Sequence, residues 1–370
     1  MPGKKLLAVS LLAATMLLAA QLLTAGYQSI YRIQITYVAE GRGSIGEDIF
    51  SKTFFLAPTI DGWQKLVNYT LTVNGAPLHA KVKRDSQGNM YLYPGTPVPL
   101  NGKVNITLVE YVLVTPPPQR VRREPPLEPC RPTGRPDMLS LEGFWSRRYD
   151  GATIKDLRGL ASLLGGEGVE YVYRLIAWVI SNTHYKLGVR GGVKTPTEFY
   201  VERVGACGDI HSFIVAMLRI KGIPSYLYYA FIYRENAYTR IGGHKASFEL
   251  RNALPHMFAM ARLCGKDFPI DVTYPAAQSP RSAVLDAGVN RGDNVIVFLR
   301  IIDADPNDYL LVYAPSNEST VNVYVKVSKY TAYERGEQSI VLPLLASILV
   351  VALAAYSLLK STATVGADDV

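Results

Sequence analysis

The amino-acid sequence predicts an α+β fold, in which a small all-β sandwich domain precedes a mixed core and an apolar segment lies at each end. Three patterns predict it. Strand-like alternation with turn signals runs through residues 27–115, helical spacing begins at about Leu139, and strand-like runs return from Ser225 onward. With 48% apolar and 19% charged residues, most of the 370-residue chain can bury a core, and the length suits two or three domains of about 100–150 residues each.

The all-β region spans residues 27–115. Tyr31 to Val38 alternates with the strand period, and Asn74-Gly75 is a two-residue hairpin signal. Gln87-Gly88-Asn89 and Asn101-Gly102 mark further turns between short runs such as Met90 to Tyr93 and Val104 to Val114. This region holds no catalytic constellation, and its one histidine, His79, stands alone. Residues 116–136 form a linker whose eight prolines favour an extended polyproline II form and whose five arginines make it basic. The net charge of +8 owes much to that linker and is not gathered on a helix or ribbon, which argues against nucleic acid as a partner.

The core is expected over residues 137–292. Leu157, Leu160, Ala161 and Leu164 share one helical face, and Tyr173, Ile176, Ala177 and Ile180 mark a second helix from about Val169 to Asn182. The loop Gly188 to Gly192 lacks the Lys-Ser/Thr ending of a phosphate loop. A third helix opens at Cys207, with Ile210, Phe213, Ile214, Met217 and Leu218 on one stripe and Gly222 and Pro224 as stop signals. Residues 293–333 return to strand patterning at Asn294 to Ile302, Tyr309 to Tyr313 and Val321 to Val327.

The ends point to a membrane. Lys4 and Lys5 precede an uncharged run, Leu6 to Ala25, so residues 1–26 read as a signal peptide or a retained signal anchor. Ser339 to Leu359 carries no charge, so residues 338–360 are expected to span the bilayer and 361–370 to form a short cytoplasmic tail. The bulk of the chain would then face outside the cytoplasm. The sequons at Asn68, Asn105 and Asn317 all fall in that portion. Three cysteines are too few for a disulfide scaffold, but an exported chain can bridge Cys130 to Cys264 and leave Cys207 free.

Cys207 is the candidate nucleophile, because a helix start favours the thiolate and Gly205 and Gly208 leave room for a carbonyl beside it. His244, on the apolar face of a strand-like run to Leu250, is the candidate base, or else a hydrogen-bonded core histidine. Asp271 is a lone carboxylate in an apolar strand and needs a donor such as an imidazole N–H. Rivals are His256 as base, although Ala253 to Cys264 is rich in helix formers, and a metal held by Cys207, His211 and His244, which lacks a fourth ligand. His184 reads as a loop histidine.

The order Cys207, His244, Asp271 with the Gly205-Ala-Cys207-Gly-Asp209 start resembles the transglutaminase-like superfamily. The resemblance runs from about Ile176 to Pro275 and takes in Trp178, Tyr185, Leu218-Arg-Ile-Lys-Gly222-Ile-Pro224, Gly243-His244 and Asp271-Val-Thr273. It departs from the family where His-Ala-Trp is usual: Lys245 and Ala246 follow His244, and Asp271-Val272-Thr273 replaces Asp-Pro-Thr. The resemblance implies a papain-like core using a Cys207, His244, Asp271 triad for acyl transfer on peptide or protein substrates, with no cofactor and no metal. Hydrolysis is expected over cross-linking, since no calcium-loop motif is present. A non-catalytic surface binding protein on the same fold is the alternative.

Overall fold

The computed structural model describes residues 29–115, 135–186, 192–243, 245–273, 294–309, 312–316 and 318–330. The expected alternation at the start becomes β1 (Ser29–Ile45), whose Tyr31, Ile33, Ile35, Tyr37 and Ala39 are buried in turn. A short helix missed by the sequence reading, α1 (Glu47–Thr53), follows and buries Ile49 and Phe50. Six strands complete the first third: β2 (Phe55–Leu56), β3 (Gln64–Val73), β4 (Ala76–Pro77), β5 (Lys81–Arg84), β6 (Met90–Tyr93) and β7 (Val98–Val114). Asn74 and Gly75 both take positive φ and form the tight turn between β3 and β4.

The helical portion matches its periodicity. It comprises α2 (Ile154–Leu164), α3 (Gly168–Asn182), the two-residue β8 (His184–Tyr185), α4 (Pro196–Glu202), the two-residue β9 (Val204–Gly205) and α5 (Cys207–Ile220). Thr153 caps α2, its hydroxyl accepting from the Lys155 N–H while Asp156 reaches back to the Thr153 N–H. Five strands follow among the described residues: β10 (Ser225–Gly242), β11 (Ala246–Leu263), β12 (Lys266–Ile270), β13 (Val295–Ile301) and β14 (Thr320–Tyr330). Tyr309 ends a short 3₁₀ turn, where a strand was expected.

Nine of these strands make one mixed sheet in the order β13-β10-β11-β14-β1-β7-β3-β4, with β12 also paired to β11. The small sheet β2-β6-β5 stands apart from it. This corrects the expected sandwich over residues 27–115: β1, β3, β4 and β7 extend the same sheet that carries β10 and β11, and Ile30–Lys329 is one compact unit. Side-chain amides from that first third also seal the outer edge of β13. Gln64 exchanges two hydrogen bonds with Val297, Asn89 exchanges two with Arg300, and Gln87 accepts from Ile302 and Asp303. An open strand edge is thus satisfied by borrowed amides, which also block pairing with another chain.

The long hairpin β10–β11 has two unlike halves. Residues 225–233 pair with 253–261, but 234–237 form an irregularity opposite Asn252, and Asn236 and Asn252 both take positive φ. Beyond it, Ala246 to Arg251 pairs in parallel with Val321 to Lys326 of β14. Before it, Ala259 to Leu263 pairs with β12. The apolar runs at 1–26 and 338–360, the tail 361–370 and linker residues 116–134 lie outside the described residues. Among the described residues no helix is long and apolar enough to cross a membrane.

Candidate active site

Helix α5 was expected to be amphipathic, yet every residue from Gly208 to Arg219 is buried. Asp209, His211 and Arg219 tolerate this by bonding backbone groups, whereas the buried Ser212 hydroxyl has no hydrogen-bond partner. Arg219 donates to the carbonyls of Ser140, Ser225 and Ile302, and His211 Nδ1 donates to the Cys207 carbonyl at 2.8 Å. Burial holds the guanidinium of Arg219 down to about 9, so the carbonyl partners matter.

The first turn of α5 is tied in place by Asp209, which accepts from the Ala206 and Lys194 N–H groups, each at 2.7 Å. Burial raises the Asp209 carboxyl and these two amides pull the other way. The two glycines serve packing more than substrate room. A Cβ on Gly205 would stand 2.6 Å from the Asp209 Cβ, and one on Gly208 would stand 2.9 Å from Val193 and 3.1 Å from the Met257 sulfur. Cys207 itself is half-buried and free. Cys264 is disulfide-bonded, and the chain's only remaining cysteine, Cys130, lies outside the described residues.

Asp271 is fully buried just past β12 and has its imidazole, but the donor is His256 and not the expected His244. His256 Nε2 lies 2.8 Å from Asp271 Oδ2, and the Cys207 thiol is close enough to its ring to raise its proton affinity. The other carboxylate oxygen, Oδ1, accepts from the Thr273 N–H and hydroxyl at 3.1 Å each. Burial alone would push His256 down, but Asp271 and the thiol beside it override that and raise it to about 10. Burial likewise works against ionised Asp271, and the His256 charge outweighs it, holding the carboxyl down at about 2. A charged imidazolium–carboxylate pair is the result.

The register explains why these two meet. Cys264 and Gly265 take φ of 50° and 74° and make a two-residue turn, so that Ala259 pairs with Ile270. Asp271 then falls opposite Phe258, one diagonal step from His256 on the same face. His244 lies outside the described residues. Ala246, its described neighbour on β11, is ten residues from His256, on the order of 30 Å along a strand. His256 was misplaced because Ala253 to Cys264, apolar apart from His256 and Arg262, fits a buried strand as well as a helix. Pro255, which a helix interior tolerates poorly, was the available signal for a strand.

His211 has a structural role. Besides donating from Nδ1, it accepts the Val272 N–H at Nε2 over 3.2 Å, so neither nitrogen is left for a metal. Complete burial pulls it down to about 4, and it is neutral beside the charged pair. His184 starts the parallel pair β8–β9, in which Tyr185 stands opposite Gly205, two residues before Cys207. The Tyr185 phenol is pushed up to about 12, by burial first and then by the Cys207, Asp271 and Asp209 side chains. Tyr229, fully enclosed on β10, is likewise raised by burial and by Cys207.

A half-buried free thiol at a helix start, an imidazole on it and a buried carboxylate behind the imidazole form one connected unit. Residues 161–267 match the model of the Transglutaminase-like superfamily. That segment is similar to a transglutaminase-like core. The match includes Cys207, His244 and His256 and stops short of Asp271. Uncharacterized proteins of Mycobacterium bovis and Mycobacterium tuberculosis are each 26% identical over 204 residues, 53% of this chain and 64% of theirs. The chain thus spans just under two thirds of the length of those curated relatives. A protein of Cytophaga hutchinsonii, named a candidate cysteine protease, shares the fold with a TM-score of 0.50 at 14% identity, over 82% of this chain and 91% of that one.

Proposed function

We propose that the transglutaminase-like core performs thiol-dependent acyl transfer on peptide or protein substrates, with Cys207 as nucleophile, His256 as acid and base, and Asp271 as the group that orients and charges the imidazole. The observation that carries this reading is the buried His256–Asp271 pair at 2.8 Å beside a free Cys207 at the start of α5. The Cys207 sulfur, its proton on His256, adds to an amide carbonyl. The oxyanion faces the first N–H groups of α5, the Cys207 N–H among them. As the C–N bond breaks, His256 returns the proton to the leaving amine and a thioester on Cys207 remains. Water or a second amine, deprotonated by His256, then attacks the thioester and releases the thiol.

The same reading places the chain outside the cytoplasm, anchored by residues 338–360 and, where it is retained, by residues 1–26. The oxidised state of Cys264 supports an exporting compartment, since disulfides persist there and are rare in the cytosol. The test uses the full chain in detergent or vesicles. Peptidyl electrophiles should label Cys207, a Cys207→Ala variant should take no label, and product analysis in the presence of a primary amine should separate hydrolysis from transamidation. Labelling no faster than that of a small free thiol, with no thioester trapped from any peptide amide, would favour a binding role on the same fold.

A further inference from the structure

Arg203, four residues before Cys207, caps α4 with φ 58° and ψ 10°, a left-handed conformation that favours glycine or asparagine at a helix end. An arginine held there needs a side-chain reason. Its guanidinium lies 4.3 Å from the ring centroid of Trp178 on α3 and 4.3 Å from that of Tyr200 on α4. Both rings pack in turn on Phe213 of α5, at 5.6 and 6.4 Å, so the platform is joined to the helix that presents the thiol. Ring faces hold the guanidinium flat, and beyond one hydrogen bond to Tyr200 its remaining N–H groups are left for another acceptor.

That edge has no carboxylate partner among the described residues. The nearest acid in sequence, Glu202, is already taken by Lys194 Nζ at 2.5 Å and the Tyr149 hydroxyl at 2.6 Å. Arg203 is also fixed relative to the nucleophile: its carbonyl accepts from His184 N–H at 2.8 Å, and the next residues, Val204–Gly205, are the β9 strand that leads to Cys207. Four residues of extended chain reach at most about 14 Å, the span of a few residues of bound peptide. Lys186, exposed and bonded through its N–H to the Gly205 carbonyl, adds positive charge on the same ladder.

We infer that Arg203, held flat by Trp178 and Tyr200, binds a carboxylate of the acyl-donor substrate, so that preferred substrates carry an acidic side chain within about four residues of the reacting carbonyl. The inference rests on Cys207 being the nucleophile. A rigid planar fork matches a carboxylate with two parallel N–H···O bonds and loses little side-chain freedom on binding. The structure thus assigns a substrate class to the site: acidic peptides, ahead of neutral or basic ones.

The test uses the full chain and pairs of peptidyl chloromethyl ketones that differ only by Glu or Gln at each of the first four positions from the reacting group. For at least one position, wild type should be alkylated at Cys207 about fivefold faster by the Glu member, and the preference should shrink as salt is raised. Arg203→Gln should bring that ratio to about one, Arg203→Glu should invert it, and Arg203→Lys, which keeps the charge without the fork, should retain only part of it. If Arg203 is only a staple between helices, its variants will slow both members alike and keep the ratio, which overturns the inference. Equal rates in wild type with Cys207 still labelled also overturn it and leave the thiol chemistry standing. No labelling of Cys207 by any member overturns the acyl-transfer reading itself.

Discussion

The two halves of the β10–β11 hairpin are continuous in sequence and opposite in use. The half before the irregularity at Asn252 packs on α5, pairs with β12 and brings His256 to Asp271 and Cys207. The half beyond it pairs with β14, and its outward side chains are exposed: Tyr238 at 55% and Ile241 at 51%, with Glu249 between Arg240 and Arg251 at 3.8 and 3.6 Å. His256 belongs to the first half. It meets a carboxylate in a desolvated site. A strand histidine thus acquires a base's environment from the neighbouring strand and helix, and its own local pattern says little.

The largest effects should come from the packed half. Cys207→Ala should abolish peptide-amide turnover, and His256→Ala should lower kcat/KM by about 10³-fold, near the upper part of the range for a lost acid–base group. Cys207→Ala should keep the wild-type thermal transition within a few degrees, whereas His256→Ala, which leaves the buried Asp271 carboxylate unpaired, should lower it. Retained turnover in either one, measured on the purified full chain, would remove that histidine or thiol from the mechanism.

Asp271→Asn should cost less, about 10²-fold, because an amide can still accept or donate one hydrogen bond while supplying no charge. It should also move a titration. With Asp271 present, His256 is raised to about 10, so its ion-pair contribution to stability is full below about pH 6.5 and is lost as pH rises through about 10. In the amide variant that alkaline loss should disappear. Imidazole resonances followed by NMR against pH would report it, and an unchanged His256 titration would break the proposed link between the two residues.

His211 sharpens the comparison within the packed half, since it is as buried as His256 and shifted the opposite way, to about 4. Its folded value lies below its unfolded one, so the unfolded chain takes up the proton first and stability falls as pH drops from about 6.5 to about 4. The shift corresponds to about 3 kcal/mol. Chemical denaturation across that range should show the decline in wild type and a flatter profile in His211→Gln, at lower overall stability. The same slope in both proteins would assign the acid sensitivity elsewhere.

Much of this architecture could be read from the chain. Helix periodicity placed α2, α3 and α5, Asn74-Gly75 placed a hairpin, and the glycine-flanked Cys207 placed a helix start. Asp271 was legible as well, since a lone carboxylate in an apolar strand demands a donor. The identity of that donor depends on the Cys264-Gly265 turn and the register it imposes, both of which are tertiary facts. The joining of β1 to β14 in one sheet depends on pairing across nearly the whole chain, which no local pattern encodes. The apolar runs on β11 were ambiguous between helix and strand for the same reason: a fully buried strand shows no alternation.

The smallest expected effect carries the most weight for the central claim. His244→Ala and His256→Ala should be compared side by side for the second-order rate of Cys207 alkylation by one neutral peptidyl electrophile near pH 7. The account predicts a change of less than about twofold for His244→Ala and a loss of about 10²-fold or more for His256→Ala. The reverse pattern, with Cys207 depending on His244 and indifferent to His256, would contradict it.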